Sequence, residues 1–137
     1  MAGDLLHWQF QHRRKISDTI LVAATDDQTD LLTVKSANHR IYIQQISISI
    51  TTYSAVTWTL RDDASTPVPI AVLSIPATQA TAFGDEGTVV WNFGPTGTPL
   101  TLGKNLDLEL SAAGAAGIVH VEGYEVLVGP VTAASTN

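Results

Sequence analysis

In HRIYIQQISISITTYSAVTWTL, residues 39–60, apolar and polar side chains alternate for most of the length. A period of two is that of a strand with one face buried. Ile41 and Ile43 fall on one face, while Ile46, Ile48 and Ile50 share a face in the opposite phase. A regular strand cannot change phase. Gln44 and Gln45 therefore mark either a β-bulge or a strand passing between two packed surfaces. TTYS (51–54) turns the chain, and Val56, Trp58 and Leu60 resume the alternation. The expectation is a hairpin with an aromatic ring anchored in the core.

The same reading extends in both directions. TILVAA (19–24), LLTVKS (31–36), IAVLSI (70–75), GTVVWNF (87–93), LDLEL (106–110) and IVHVEGYEVLVG (118–129) read as strands. TDDQTD (25–30) reads as a polar turn, RDDASTPVP (61–69) as a loop, and SAAGAAG (111–117) as a small-residue turn. GPTGTPLTLGKN (94–105) is too rich in Gly and Pro to be regular. In LDLEL, Asp107 and Glu109 face away from the three leucines. No segment has the period of a helix. About eight short strands between turn signals predict an all-β protein, a single β-sandwich of jelly-roll type. That domain is expected over residues 19–129, with an N-terminal arm over 1–18 and a flexible tail over 130–137.

Composition narrows the function classes. A chain of 137 residues, 45% hydrophobic and 15% charged, fits one folded domain. Its net charge of −6 repels phosphate and argues against nucleic-acid binding. Arg13, Arg14 and Lys15 gather three of the seven basic residues in one run, either a solvated cluster or an arm for an acidic protein surface. With no cysteine, disulfides and thiolate metal sites are excluded. MAGDLLHWQF lacks the pattern of a secretory signal, and no apolar run approaches a membrane span, so a soluble domain is expected.

Chemistry-bearing motifs are sparse. Asp26–Asp27 and Asp62–Asp63 are tandem loop acids without the spacing or glycine of an EF-hand. His120, Glu122 and Tyr124 line one face of the last strand, and His-x-Glu can supply two metal ligands. The cupin version needs further histidines. Ile118 and Glu122 flank His120 at the required spacing, and no histidine follows it. Gly94, Gly97 and Gly103 open no helix that could cradle phosphate. There is no nucleophile elbow, Walker loop or zincin motif. Neither an enzyme nor a cofactor is expected.

The segments Phe93-Gly94-Pro95, Gly103-Lys104-Asn105-Leu106-Asp107-Leu108, Ala112–Gly117 and Val121-Glu122-Gly123-Tyr124, with VTWTLRD upstream, resemble small β-sandwich proteins of tailed bacteriophages. The resemblance implies a structural virion protein made in the host cytoplasm. It would be a capsid decoration (cement) protein bound to the major capsid protein on the outer shell, or else a head- or tail-fibre domain. It carries over no catalytic residues. A trimer is expected, since closed assembly hides edge strands. Aromatic and Arg side chains serve well as interface anchors, so Trp8, Phe10, Arg13, Arg14 and Lys15 are the expected capsid contacts. Two alternatives stay open: a glycan-binding fibre tip using Tyr53, Asp62 and Asp63, and a metal or enzyme site at His120 and Glu122.

Overall fold

The computed structural model describes residues 13–23, 28–76 and 87–128. They form β1 (Arg13–Val22), β2 (Gln28–Leu32), β3 (His39–Thr52), β4 (Thr57–Asp62), β5 (Pro69–Ser74), β6 (Thr88–Asn92), β7 (Thr98–Pro99), β8 (Leu106–Leu110) and β9 (Ala116–Leu127). No helix occurs among the described residues.

The strands make two antiparallel sheets. The front sheet runs β1-β9-β3-β6, with the two-residue β7 also paired to β3; the back sheet runs β2-β8-β4-β5. Between the described strands the chain changes sheet at every connection but two: the β4–β5 hairpin stays in the back sheet, and β6 and β7 both lie in the front sheet. This alternation is the jelly-roll topology of the β-sandwich class. The hairpin expected over 39–60 is therefore corrected: β3 and β4 lie in different sheets. Alternation shows that a segment is a half-buried strand, but it carries no information about which sheet receives it. Thr52 to Thr57 carries the chain across the sandwich.

The core lies between the two inner faces. β3 contributes Ile41, Ile43, Ile46, Ile48 and Ile50, β9 contributes Val119 and Val121, and β1 contributes Val22. From the other side come Trp58, Leu60, Ala71, Leu106, Leu108 and Leu110. Each fully buried aliphatic side chain adds roughly 1.5–3 kcal/mol before entropy is counted, so the isoleucine row of β3 anchors both sheets.

The phase change in β3 is a bulge. Ile43 pairs with Gly123 and Gln45 with Glu122, which leaves Gln44 without a partner on β9. Its carbonyl instead accepts the Phe93 amide at 2.8 Å. At Gly123 a Cβ would come within 3.0 Å of the Tyr42 carbonyl oxygen, so the bulge depends on a residue without a side chain there.

Boundaries move for physical reasons. β1 begins at Arg13, six residues before the expected strand at 19–24, and pairs with β9 over its whole length. Residues 13–18 thus belong to the sheet and not to an arm. β1 is an edge strand whose first seven residues are mostly exposed, so they carry no apolar alternation. β2 occupies 28–32 where 31–36 was expected, and β9 starts two residues before 118. Residues 1–12, 24–27, 77–86 and 129–137, with the expected tail, lie outside the described residues.

Candidate functional site

The outer face of the front sheet collects the side chains that point away from the core on β1, β9 and β3. Register sets them in rows: Lys15 beside Tyr124 beside Tyr42, Ser17 beside Glu122 beside Gln45, and Thr19 beside His120 beside Ser47. Tyr42 and Tyr124 stack with ring centroids 4.9 Å apart and planes 11° from parallel. The Arg13 guanidinium lies 3.6 Å from the centre of the Tyr124 ring. Arg13 and Tyr42 come from strands on opposite sides of β9, so both faces of that ring are covered.

The loop after β6 closes the group. Arg13 Nη2 donates to the Pro95 carbonyl at 3.3 Å, the bulged Gln44 donates its amide to the same oxygen at 2.7 Å, and Tyr124 Oη donates to the Thr96 carbonyl at 2.6 Å. Burial raises the Tyr124 pKa above its usual 10.0, with Arg13 opposing and Tyr42 adding to the effect. Arg13, Lys15, Gln44, Gly123 and Tyr124 line a cleft of about 270 Å³.

The basic run therefore divides. Arg13 and Lys15 face outward, while Arg14 points to the other side of β1 and meets Glu125 Oε1 at 2.6 Å. Glu125 is only 1% exposed, and its Oε2 accepts the Lys35 amide at 3.2 Å, so this ion pair holds the ends of β1 and β9 to the β2–β3 connection. Trp8 and Phe10 lie outside the described residues.

His120 and Glu122 share the outer face as expected. His120 Nδ1 sits 2.7 Å from Thr19 Oγ1 and Nε2 3.4 Å from Glu122 Oε1. A hydroxyl, an imidazole and a carboxylate in line resemble a nucleophile–base–acid set. They lie side by side on paired strands, however, and the Thr19 amide is taken by the Asp18 carboxylate at 2.8 Å. Among the described residues no group of three or more His, Asp or Glu side chains could hold a metal ion.

The tandem acids behave unequally. Asp62 is 1% exposed. Its Oδ1 accepts the Ala64 and Val68 amides, and its Oδ2 accepts the amide and hydroxyl of Thr101. Burial acts to raise its pKa, but the hydrogen bonds outweigh that effect and hold it below 3.8. Asp62 is a clasp between two loops, with no oxygen left for a ligand. Asp63 is exposed and accepts the Asn105 amide at 2.8 Å. Asp26 and Asp27 lie outside the described residues.

The back sheet holds a feature that alternation alone missed. Asp107 faces away from the leucines as expected, yet it is only 6% exposed. Asp30 of β2 is its cross-strand partner, and Arg61 of β4 lies on its other side, ion-paired to Glu109. Burial, the hydrogen bond and charge of Asp30 and the charge of Asp63 push the Asp107 pKa up to about 6, with Arg61 opposing. An Asp in a period-two pattern gives no hint that a neighbouring strand will set a second Asp opposite it.

No protein-family model matches the chain, and no curated protein matches it by sequence. Solved structures do match. A chain of the capsid structure of Helicobacter pylori bacteriophage KHP30 is similar at TM-score 0.50 and 13% identity, with 83% of this chain and 98% of that chain covered. Looser likenesses include the Drosophila NLP core, at TM-score 0.44 and 15% identity over 80% and 97% of the two chains. Another is a pentameric capsid protein from metagenomic phage sequences, at 0.42 and 16% over 83% and 61%. At these identities the likeness is one of fold.

Proposed function

We propose that the chain is a structural, non-enzymatic virion protein, and specifically a capsid decoration protein that binds the major capsid protein on the outer shell and bridges its subunits. One observation carries the reading: the jelly roll matches a chain of a bacteriophage capsid structure almost from end to end, so the two are of similar size. A protein of this kind works by buried interface area and needs no active site, because anything that binds only the assembled state stabilises it. Trp8, Phe10, Arg13, Arg14 and Lys15 are the proposed shell contacts, and a homotrimer is the proposed assembly. The test is quantitative mass spectrometry of purified source particles, counting this chain against the main shell protein. Copy numbers comparable to the shell protein support decoration. A few copies per particle would reassign the chain to a tail or fibre, and absence would overturn the virion reading.

A further inference from the structure

We infer that the cleft beside Tyr124 is a carboxylate-binding site, and that its ligand is a single acidic side chain of a protein partner. The inference rests on the proposed function and deepens it by naming the partner's chemistry; its test uses no virus particle, so the two can fail separately.

Three features of the cleft point to an anion. Arg13 is immobilised before any ligand arrives, flat on the Tyr124 ring and tied to the Pro95 carbonyl through one nitrogen, which leaves its other N–H groups to donate. A guanidinium fixed in this way gives up little rotamer freedom on binding a carboxylate. Lys15 projects from the same face two residues on, exposed and with no carboxylate partner among the described residues. Gln44, pushed out by the bulge, closes one wall and offers its amide beside the Arg13 guanidinium, both directed at the Pro95 carbonyl.

The surroundings select among anions. Glu122 lies one row away, beside Ser17, and the chain as a whole carries a charge of −6. Both oppose a dianion or polyanion more than a monoanion. Tyr42 and Arg13 cover both faces of the Tyr124 ring, so the ring that lines the cleft offers no bare face for a base or sugar to lie on. The match that remains is a carboxylate on a flexible, otherwise neutral stem, such as Glu or Asp on a partner's surface.

The experiment is a titration of the full-length chain, followed through its backbone amide resonances, with a capped Gly-Ser-Glu-Ser-Gly peptide at low salt. Parallel titrations use the Gln, phosphoserine and glucuronate counterparts. The Glu peptide should shift the amides of Gln44, Gly123 and Tyr124 saturably, and the Gln peptide should not. Lys15→Ala should weaken binding about tenfold, as expected for one lost charge-assisted contact. Lys15→Arg should retain it, and Arg13→Lys should weaken it because the stacked fork is gone. Equal shifts with the Gln peptide, shifts mapping elsewhere, or no binding would overturn the site. Tighter binding of phosphoserine or glucuronate would overturn the assignment to an acidic side chain.

Discussion

A carboxyl group that loses its water and gains carboxylate neighbours keeps its proton longer, and Asp107 is placed that way by the register of β8 against β2. The native chain holds a proton between the ordinary Asp value of 3.8 and about 6 that the unfolded chain has released. Stability therefore falls as pH rises through that window. The interval corresponds to at most roughly 3 kcal/mol, less once solvent around the exposed Asp30 screens the pair. Asp62 works in the opposite direction: its contribution is present above 3.8 and is lost as pH falls through its lowered native value. The two together place maximal stability in mildly acidic solution. Urea unfolding midpoints should be higher near pH 5 than near pH 7.5. Asp107→Asn should raise the midpoint at the higher pH and flatten the difference; an unchanged pH profile would show that Asp107 does not titrate in this window. None of this was legible from LDLEL alone, because burial of Asp107 comes from a neighbour distant in sequence. The exposure of Arg13 and Lys15 was closer to hand, but the separate role of Arg14 required knowing that these residues sit on a strand.

At the scale of elements, sequence reading succeeded where a segment's own periodicity contains the answer. LDLEL is β8 residue for residue, and the change of phase at Gln44 and Gln45 is a bulge in the strand. It failed where the answer depends on pairing. β1 hides its first half because an edge strand with exposed flanks needs no apolar alternation, and the step from β3 to β4 passes between sheets. The bulge also explains Gly123, a position the family-like pattern had marked without a reason. Next to the extra residue on β3 the Tyr42 carbonyl lies against Gly123, and a methyl group there would force the strands apart. Gly123→Ala is expected to cost about 2 kcal/mol or more, the range of overpacking in a rigid surround. Deleting Gln44 in the same chain should recover part of that loss, since it removes the bulge that creates the clash. Chemical denaturation of the single and double variants measures both effects. An unaltered midpoint for Gly123→Ala would mean that the two strands separate easily at this point.

At the scale of the molecule, the sandwich presents two outer faces of different character. The back sheet shows Asp30 and Glu109 around Arg61, over the buried Asp107, while the front sheet shows Arg13 and Lys15 at one end. At its other end Leu21, 73% exposed, and Ile118 lie side by side. The proposed virion role would be exerted through such surfaces, and the proposed contacts divide into two sets that can be separated. Arg13, Arg14 and Lys15 are fixed on β1, Arg14 facing Glu125, whereas Trp8 and Phe10 come before β1 in the sequence. Among the described residues every ladder of the two sheets begins at or after Arg13, so a chain lacking residues 1–12 keeps all of that pairing. Its thermal midpoint should lie within a few degrees of the full chain's. If Trp8 and Phe10 are the anchors, its retention on purified particles should fall at least tenfold, since buried aromatic anchors each carry about 2 kcal/mol or more of binding energy. Lys15→Ala in the full chain should lower retention without touching stability. Full retention by the shortened chain, with loss in Lys15→Ala, would place docking on the front sheet alone; full retention by both would remove Trp8, Phe10 and Lys15 from the interface.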